Sequence, residues 1–157
     1  HKKNSMPVYK LTTTILLFSM SLFMSCSTDD AEVVIEKLSY EVLLESQLSY
    51  YEEEKIPKQY QVFTSQEDWL AFIPTIERVN PDHAKTLRNI SFDFNNNNLI
   101  IVIGEFFNSC CSQITINQIF KRNNKIIINF EESEPGMAGA LSQTYLVLKT
   151  SRSRQHQ

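Results

Sequence analysis

Glycine is scarce, with three in 157 residues (Gly104, Gly136, Gly139). No Gly-x-Gly-x-x-Gly or Walker pattern can be assembled from them, which all but excludes a phosphate cradled by a glycine-rich loop. Histidine is as rare: His1, His83 and His156. No His-x-x-x-His, no Cys/His cluster and no Asp-x-Asp-x-Asp-Gly calcium loop is present, so the sequence supports no metal site and no cofactor is expected. The three cysteines, Cys26, Cys110 and Cys111, do not form a Cys-x-x-Cys redox motif. No apolar run reaches the roughly 20 residues of a membrane-spanning helix. A basic stripe is missing too. Three of the 15 basic residues precede residue 11, leaving 12 against 18 acids from Cys26 onward, a charge of −6. Phosphate neutralisation dominates nucleic-acid affinity, so nucleic acid is not an expected partner. What remains is an ordinary globular chain, 42% hydrophobic and of a length for one domain.

The first 25 residues read as an address. Lys2, Lys3 and Lys10 form a positive segment, and Leu11 to Met24 an apolar one centred on Ile15-Leu16-Leu17-Phe18. It ends in Leu22-Phe23-Met24-Ser25-Cys26, which resembles the lipobox of bacterial lipoproteins, with Ser25 before the cleaved bond and Cys26 as the lipidated residue. The alternative is an ordinary signal peptide with an incidental cysteine. Acyl chains on Cys26 would hold the domain at a membrane by about 0.8 kcal/mol per buried methylene, with no spanning segment needed. Ser27-Thr28-Asp29-Asp30 is similar to outer-membrane sorting and surface-export signals, or is simply a solvated tether. The expected organisation is a signal segment over 1–25, a tether over 26–32, one domain over 33–150 and a disordered tail over 151–157. The chain opens on His1, and Met6 is an alternative start.

Within the domain, Leu38, Tyr40, Val42 and Leu44 alternate with Ser39, Glu41 and Leu43, the pattern of a half-buried strand. Residues 50–58 read as a loop and Gln59 to Thr64 as a second strand. Thr64 with Glu67 makes a capping box, followed by Trp69, Phe72, Ile73 and Ile76 at the spacing of one helical face. Trp69, the only tryptophan, belongs by that spacing to the core. Pro74 predicts a kink or an end near Ile73. Asn80-Pro81 starts a second short helix to about Arg88. Ile90 to Phe94 is apolar and alternating around Asp93, and the four asparagines 95–98 are a loop. Leu99-Ile100-Ile101-Val102-Ile103 is a strand buried on both faces. Ile114, Ile116 and Phe120 form one strand, Ile126, Ile128 and Phe130 its return, with a hairpin turn at Arg122 to Lys125 because asparagine tolerates positive φ. Residues 131–140 read as a mobile loop, and Thr144 to Lys149 closes the sheet. The fold class expected is α+β: a small antiparallel sheet with one or two helices packed on one face.

Phe92-Asp93-Phe94, the apolar strand ending in Gly104, Ile114-x-Ile116, the hairpin and Gln143-Thr144-Tyr145-Leu146-Val147 resemble the C-terminal domain of the protease complex subunit PrcB family. The Glu67-Asp68-Trp69-Leu70 helix looks like that family's helix, and the likeness spans roughly residues 60–150. Cys110-Cys111 stands where that family usually has Gly-Gly. The resemblance implies a non-catalytic accessory subunit of the cell envelope, associated in one member with a secreted protease.

Three readings of Cys110-Cys111 stay open: a vicinal disulfide that answers to redox state or a ligand, a nucleophile, or two small packed residues. A nucleophile needs a base; His1 falls in the signal segment and His156 in the tail, so only His83 remains, and no motif links it to the pair. Glu131, Glu132 and Glu134 could pair for hydrolysis, but a charge run in a Gly/Pro loop reads as a solvated face. The loop from Glu134 to Ala140 is either a contact loop with Met137 as an adaptable tip or a plain connection. The expectation is a lipid-anchored envelope binding or accessory protein, not an enzyme. Its partners would be the membrane, through acyl chains on Cys26, and an envelope protease or other protein. A thiol-based redox or switch protein using Cys110 and Cys111 is the alternative.

Overall fold

The computed structural model describes residues 34–50 and 54–152. The signal segment and Cys26 lie outside the described residues. Seven strands and two helices follow in the order β1 (Ile35–Leu38), β2 (Tyr40–Ser49), β3 (Gln59–Phe63), α1 (Gln66–Glu77), α2 (Pro81–Arg88), β4 (Asn97–Ile103), β5 (Ile114–Arg122), β6 (Lys125–Glu132) and β7 (Ser142–Ser151). The class is α+β, with all paired strands antiparallel. The strands divide between two sheets, β2-β7-β4-β3 and β1-β5-β6.

Strand periodicity explains the layering. Residues two apart share a face, so Leu99, Ile101 and Ile103 of β4 join Tyr145 and Val147 of β7 against Trp69, Phe72, Ile73 and Ile76 of α1. The intervening Ile100, Val102, Leu146 and Leu148 face the smaller sheet, where they meet Leu38, Ile114, Ile119 and Ile128. β4 and β7 are therefore central and covered on both sides, which is why β4 reads as an unbroken apolar run. Each such buried side chain contributes roughly 1.5–3 kcal/mol. Among the described residues the buried hydrophobic side chains run from Leu38 to Leu148.

Several local expectations are corrected. The helix cap is Ser65, not Thr64: its hydroxyl accepts from the Asp68 amide at 3.1 Å and donates to the Asp68 carboxylate at 2.7 Å. α1 runs through Pro74 to Glu77. Pro74 and Leu70, whose carbonyl loses its partner to the proline, are both exposed, and water can serve that carbonyl. Tyr40 and Val42 are exposed, not buried, because the chain crosses from one sheet to the other at Ser39 and β2 carries a register shift between Val42 and Leu44. Ile90 to Phe94 is not a strand; Asp93 there accepts from the Asn95 amide at 2.9 Å and organises the turn before β4. At the other end of the chain, β7 includes Ser151, and the Arg152 amide donates to the Asn96 carbonyl. Ser151 and Arg152, at the start of the expected disordered tail, are thus held against the fold.

α2 begins as expected, with Asn80 accepting from the His83 amide at 3.1 Å. The same buried side chain donates to the Ser49 carbonyl at 2.7 Å, tying the helix to the end of β2. The β5–β6 hairpin turns at Asn123 and Asn124, with φ of 49° and 62°, the left-handed pair that matches strand twist.

Candidate functional site: a two-loop platform

Two loops leave the same end of the sheets. One connects β4 to β5 over residues 104–113, the other β6 to β7 over residues 133–141. They are clipped together by backbone: Phe107 and Ser142 exchange bonds at 2.9 and 3.0 Å, and the Cys110 amide donates to the Ala138 carbonyl at 2.7 Å. Gly136 permits this approach, since a Cβ there would lie 2.9 Å from the Cys110 carbonyl oxygen.

Beneath the loops is a polar belt. Glu132, the last residue of β6, has a side chain only 3% exposed. Its carboxylate accepts from the Ser112 hydroxyl at 2.6 Å and from the Glu105 amide at 2.7 Å. Lys58 Nζ lies 3.6 Å from it and 3.7 Å from the Glu105 carboxylate. The buried Thr144 hydroxyl is 2.8 Å from that of Ser112 and donates to the Ser112 carbonyl at 2.8 Å. Buried Gln143 donates to the carbonyls of Ile56 and Gly104 at 2.7 and 2.8 Å, and accepts from Tyr50. Gly104 has no room for a side chain, because a Cβ would collide with the Glu132 carboxylate. Glu132 is therefore a structural anchor, which corrects the expectation of a solvated acidic run; Glu131 and Glu134 are exposed as expected. β6 also extends through Glu132, so the loop begins at Ser133 and not at Glu131.

Above the belt, Cys110 and Cys111 are joined in a disulfide. Cys110 is half-buried, its sulfur 3.9 Å from Gln47 Oε1, while Cys111 is exposed. Met137 at the tip of the second loop is fully exposed, and Leu141 is 47% exposed. On the flank, Phe106 meets Tyr50 edge to face at 4.8 Å and carries Lys55 Nζ at 4.1 Å from its ring centre. Burial pushes the Tyr50 hydroxyl pKa above its ordinary value of 10.0, so it stays a neutral donor.

His83 is not brought to the cysteines. Its Nδ1 lies 2.9 Å from the hydroxyl of Tyr145, a fully buried residue of β7. Burial lowers the His83 pKa below 6.5 and raises that of Tyr145 above 10.0, so the pair is neutral at pH 7. Among the described residues no group of three His, Cys, Asp or Glu side chains could hold a metal ion. The Ser112–Glu132 contact has the atoms of a hydroxyl and a base, but Ser112 is 1% exposed and its hydroxyl is already engaged. The Ser112–Glu132 contact holds the loops in place. Sequence reasoning missed Glu132, Ser112 and Lys58. The one legible hint was that the strand pattern of Ile126, Ile128 and Phe130 continues in period two onto Glu132 with no breaker between.

The chain matches no family model, and neither a curated protein nor a solved structure matches it.

Proposed function

We propose that the chain is a lipid-anchored cell-envelope accessory or binding protein, held at the membrane through acylated Cys26 and presenting its two-loop platform to a protein partner. The partner class favoured by the PrcB-like pattern is a secreted or envelope protease, with this chain as a non-catalytic subunit. The observation that carries the binding reading is the contrast between tip and base. Met137 and Leu141 are displayed to solvent on loops whose base is fixed by Glu132, Gln143 and three backbone clips. Exposed apolar side chains on a pre-ordered loop bind without a large ordering cost, the usual condition for an anchor residue.

The test is affinity capture of the lipoprotein from its own cells after cross-linking, with Cys26→Ser and Met137→Asp as the discriminating variants. One envelope protease or peptidase enriched with the parent chain and lost from both variants supports the reading. Enrichment indifferent to both contradicts it.

A second reading rests on the exposed Cys111 of the vicinal pair. A dithiol reductant would transfer two electrons and two protons to the disulfide, yielding two thiols and its own disulfide. A Cys110→Ser/Cys111→Ser chain that keeps fold and partner binding argues against this reading.

A further inference from the structure

We infer that the hairpin end of the β1-β5-β6 sheet is the face that the domain turns to an anionic lipid surface. This rests on the anchoring of the chain at Cys26. The chain from Cys26 onward is acidic, yet at this end the topology brings Arg152 to the three cations of the β5–β6 hairpin. Arg122 and Lys125 close the β5–β6 hairpin and pair with one another across it. Lys121 and Arg152 join Lys125 around an open cleft of about 1060 Å³ between the ends of the two sheets. Among the described residues no carboxylate lines that cleft. The acids nearest by register and turn are Glu36, directly across from Lys121, and Asp93, whose carboxylate is engaged by Asn95 and Asn96.

Two exposed apolar residues adjoin this basic end. Ile35 is the strand partner of Arg122, and Ile35 and Val34 are 59% and 72% exposed. Cations beside exposed aliphatic side chains are the composition of an interfacial surface, where aliphatic groups enter the headgroup boundary and Lys and Arg meet phosphates. The connection to the anchor then selects the lipid as the occupant. Val34 stands eight residues after Cys26, so even a fully extended tether holds it within about 29 Å of the acylated residue. β1 is the first described element after Cys26, and its start is the part of the described domain that the chain length to Cys26 confines most tightly. The two-loop platform belongs to the opposite end of β5 and β6, which leaves it facing away from the membrane and open to a partner.

The test uses the chain from Ser27 onward, which keeps every described strand and helix and is first shown to be folded by a cooperative melt, in flotation with vesicles of phosphatidylcholine alone or mixed with an equal part of phosphatidylglycerol. The expected result is binding to the anionic vesicles only, weakened by salt. Arg122→Glu/Lys125→Glu should weaken it by about 25-fold or more, at about fivefold per cation lost. Arg78→Glu/Lys85→Glu, on the helices, should change it by less than about fivefold. Val34→Ser/Ile35→Ser should weaken binding while leaving its salt dependence intact. Equal binding to both vesicles, no binding to either, or equal loss from the two charge-reversed pairs overturns the inference. Acylation is read separately from the mass of the mature native chain. An unacylated chain whose soluble form still binds through Arg122 and Lys125 contradicts the anchor alone. An acylated chain whose soluble form ignores headgroup charge contradicts the inference alone.

Discussion

Glu132 carries more of the structure than any other charged side chain described. Its carboxylate is the acceptor for a hydroxyl and a backbone amide that both lie under the loops. Glu132→Ala leaves the buried Ser112 hydroxyl without that acceptor, at about 1–3 kcal/mol, while the exposed Glu105 amide can turn to water. We expect a loss of about 2 kcal/mol in chemical denaturation. Gly104→Ala should cost about 1–3 kcal/mol through the clash with the same carboxylate. Combined with Glu132→Ala that penalty should shrink, because the colliding group is gone; strict additivity would contradict the contact. His83 gives a pH signature at the same scale. Its pKa in the fold lies below the ordinary 6.5 because it is partly buried, with Asp82 opposing the shift. The unfolded chain then binds the proton more readily, so the stability contribution is full above pH 6.5 and declines as pH falls through the folded pKa. His83→Gln should flatten that decline in thermal melts across the acid range. An unchanged slope would show that His83 is not its source.

At the scale of elements, the parts legible in the sequence are those decided by neighbours in the chain. The stripe Trp69, Phe72, Ile73 and Ile76 names the buried face of α1, and Asn123-Asn124 names its own turn. Helical period and positive φ are local properties, so residues a few positions apart suffice. The cap was misplaced by one residue because Thr64-x-x-Glu67 and Ser65-x-x-Asp68 are equally good local patterns, and the end of β3 at Phe63 decides between them. Ser65→Ala should therefore cost about 1 kcal/mol and Thr64→Ala a few tenths, as measured by urea denaturation; the reverse order would restore the earlier cap. Asn124→Val should destabilise the hairpin by about 1–2 kcal/mol, since a β-branched residue is poorly tolerated at positive φ. The platform was illegible for a different reason. Glu132 meets Ser112 across 20 residues and Glu105 across 27, and no local pattern separates a buried acid from the solvated Glu131 and Glu134 beside it. The face change along β1 and β2 was hidden likewise, because Ser39 does not announce that the chain passes from one sheet to the other.

For the whole molecule, the two-sheet arrangement separates two surfaces that a single sheet would have mixed. One end of β5 and β6 holds the cationic hairpin beside the start of β1; the other holds the clipped loops with Met137 and Leu141 exposed. The central strands β4 and β7 run between these ends, buried on both faces, so the spacing between them is set by the core. On the proposed reading, an anchor at Cys26 would lie on the hairpin side and the apolar loop tips would meet a partner beyond the membrane surface.

The most direct measurement is site-specific photo-crosslinking in the native envelope, with the photoreactive residue placed at Met137 in one chain and at the exposed Leu70 of α1 in another. The expected result is one envelope protein joined through Met137, absent from Leu70, and lost when Glu132→Ala loosens the base of the loops. Equal labelling from both positions, or none from Met137 in a chain shown to be folded, would contradict the platform as the partner-binding face.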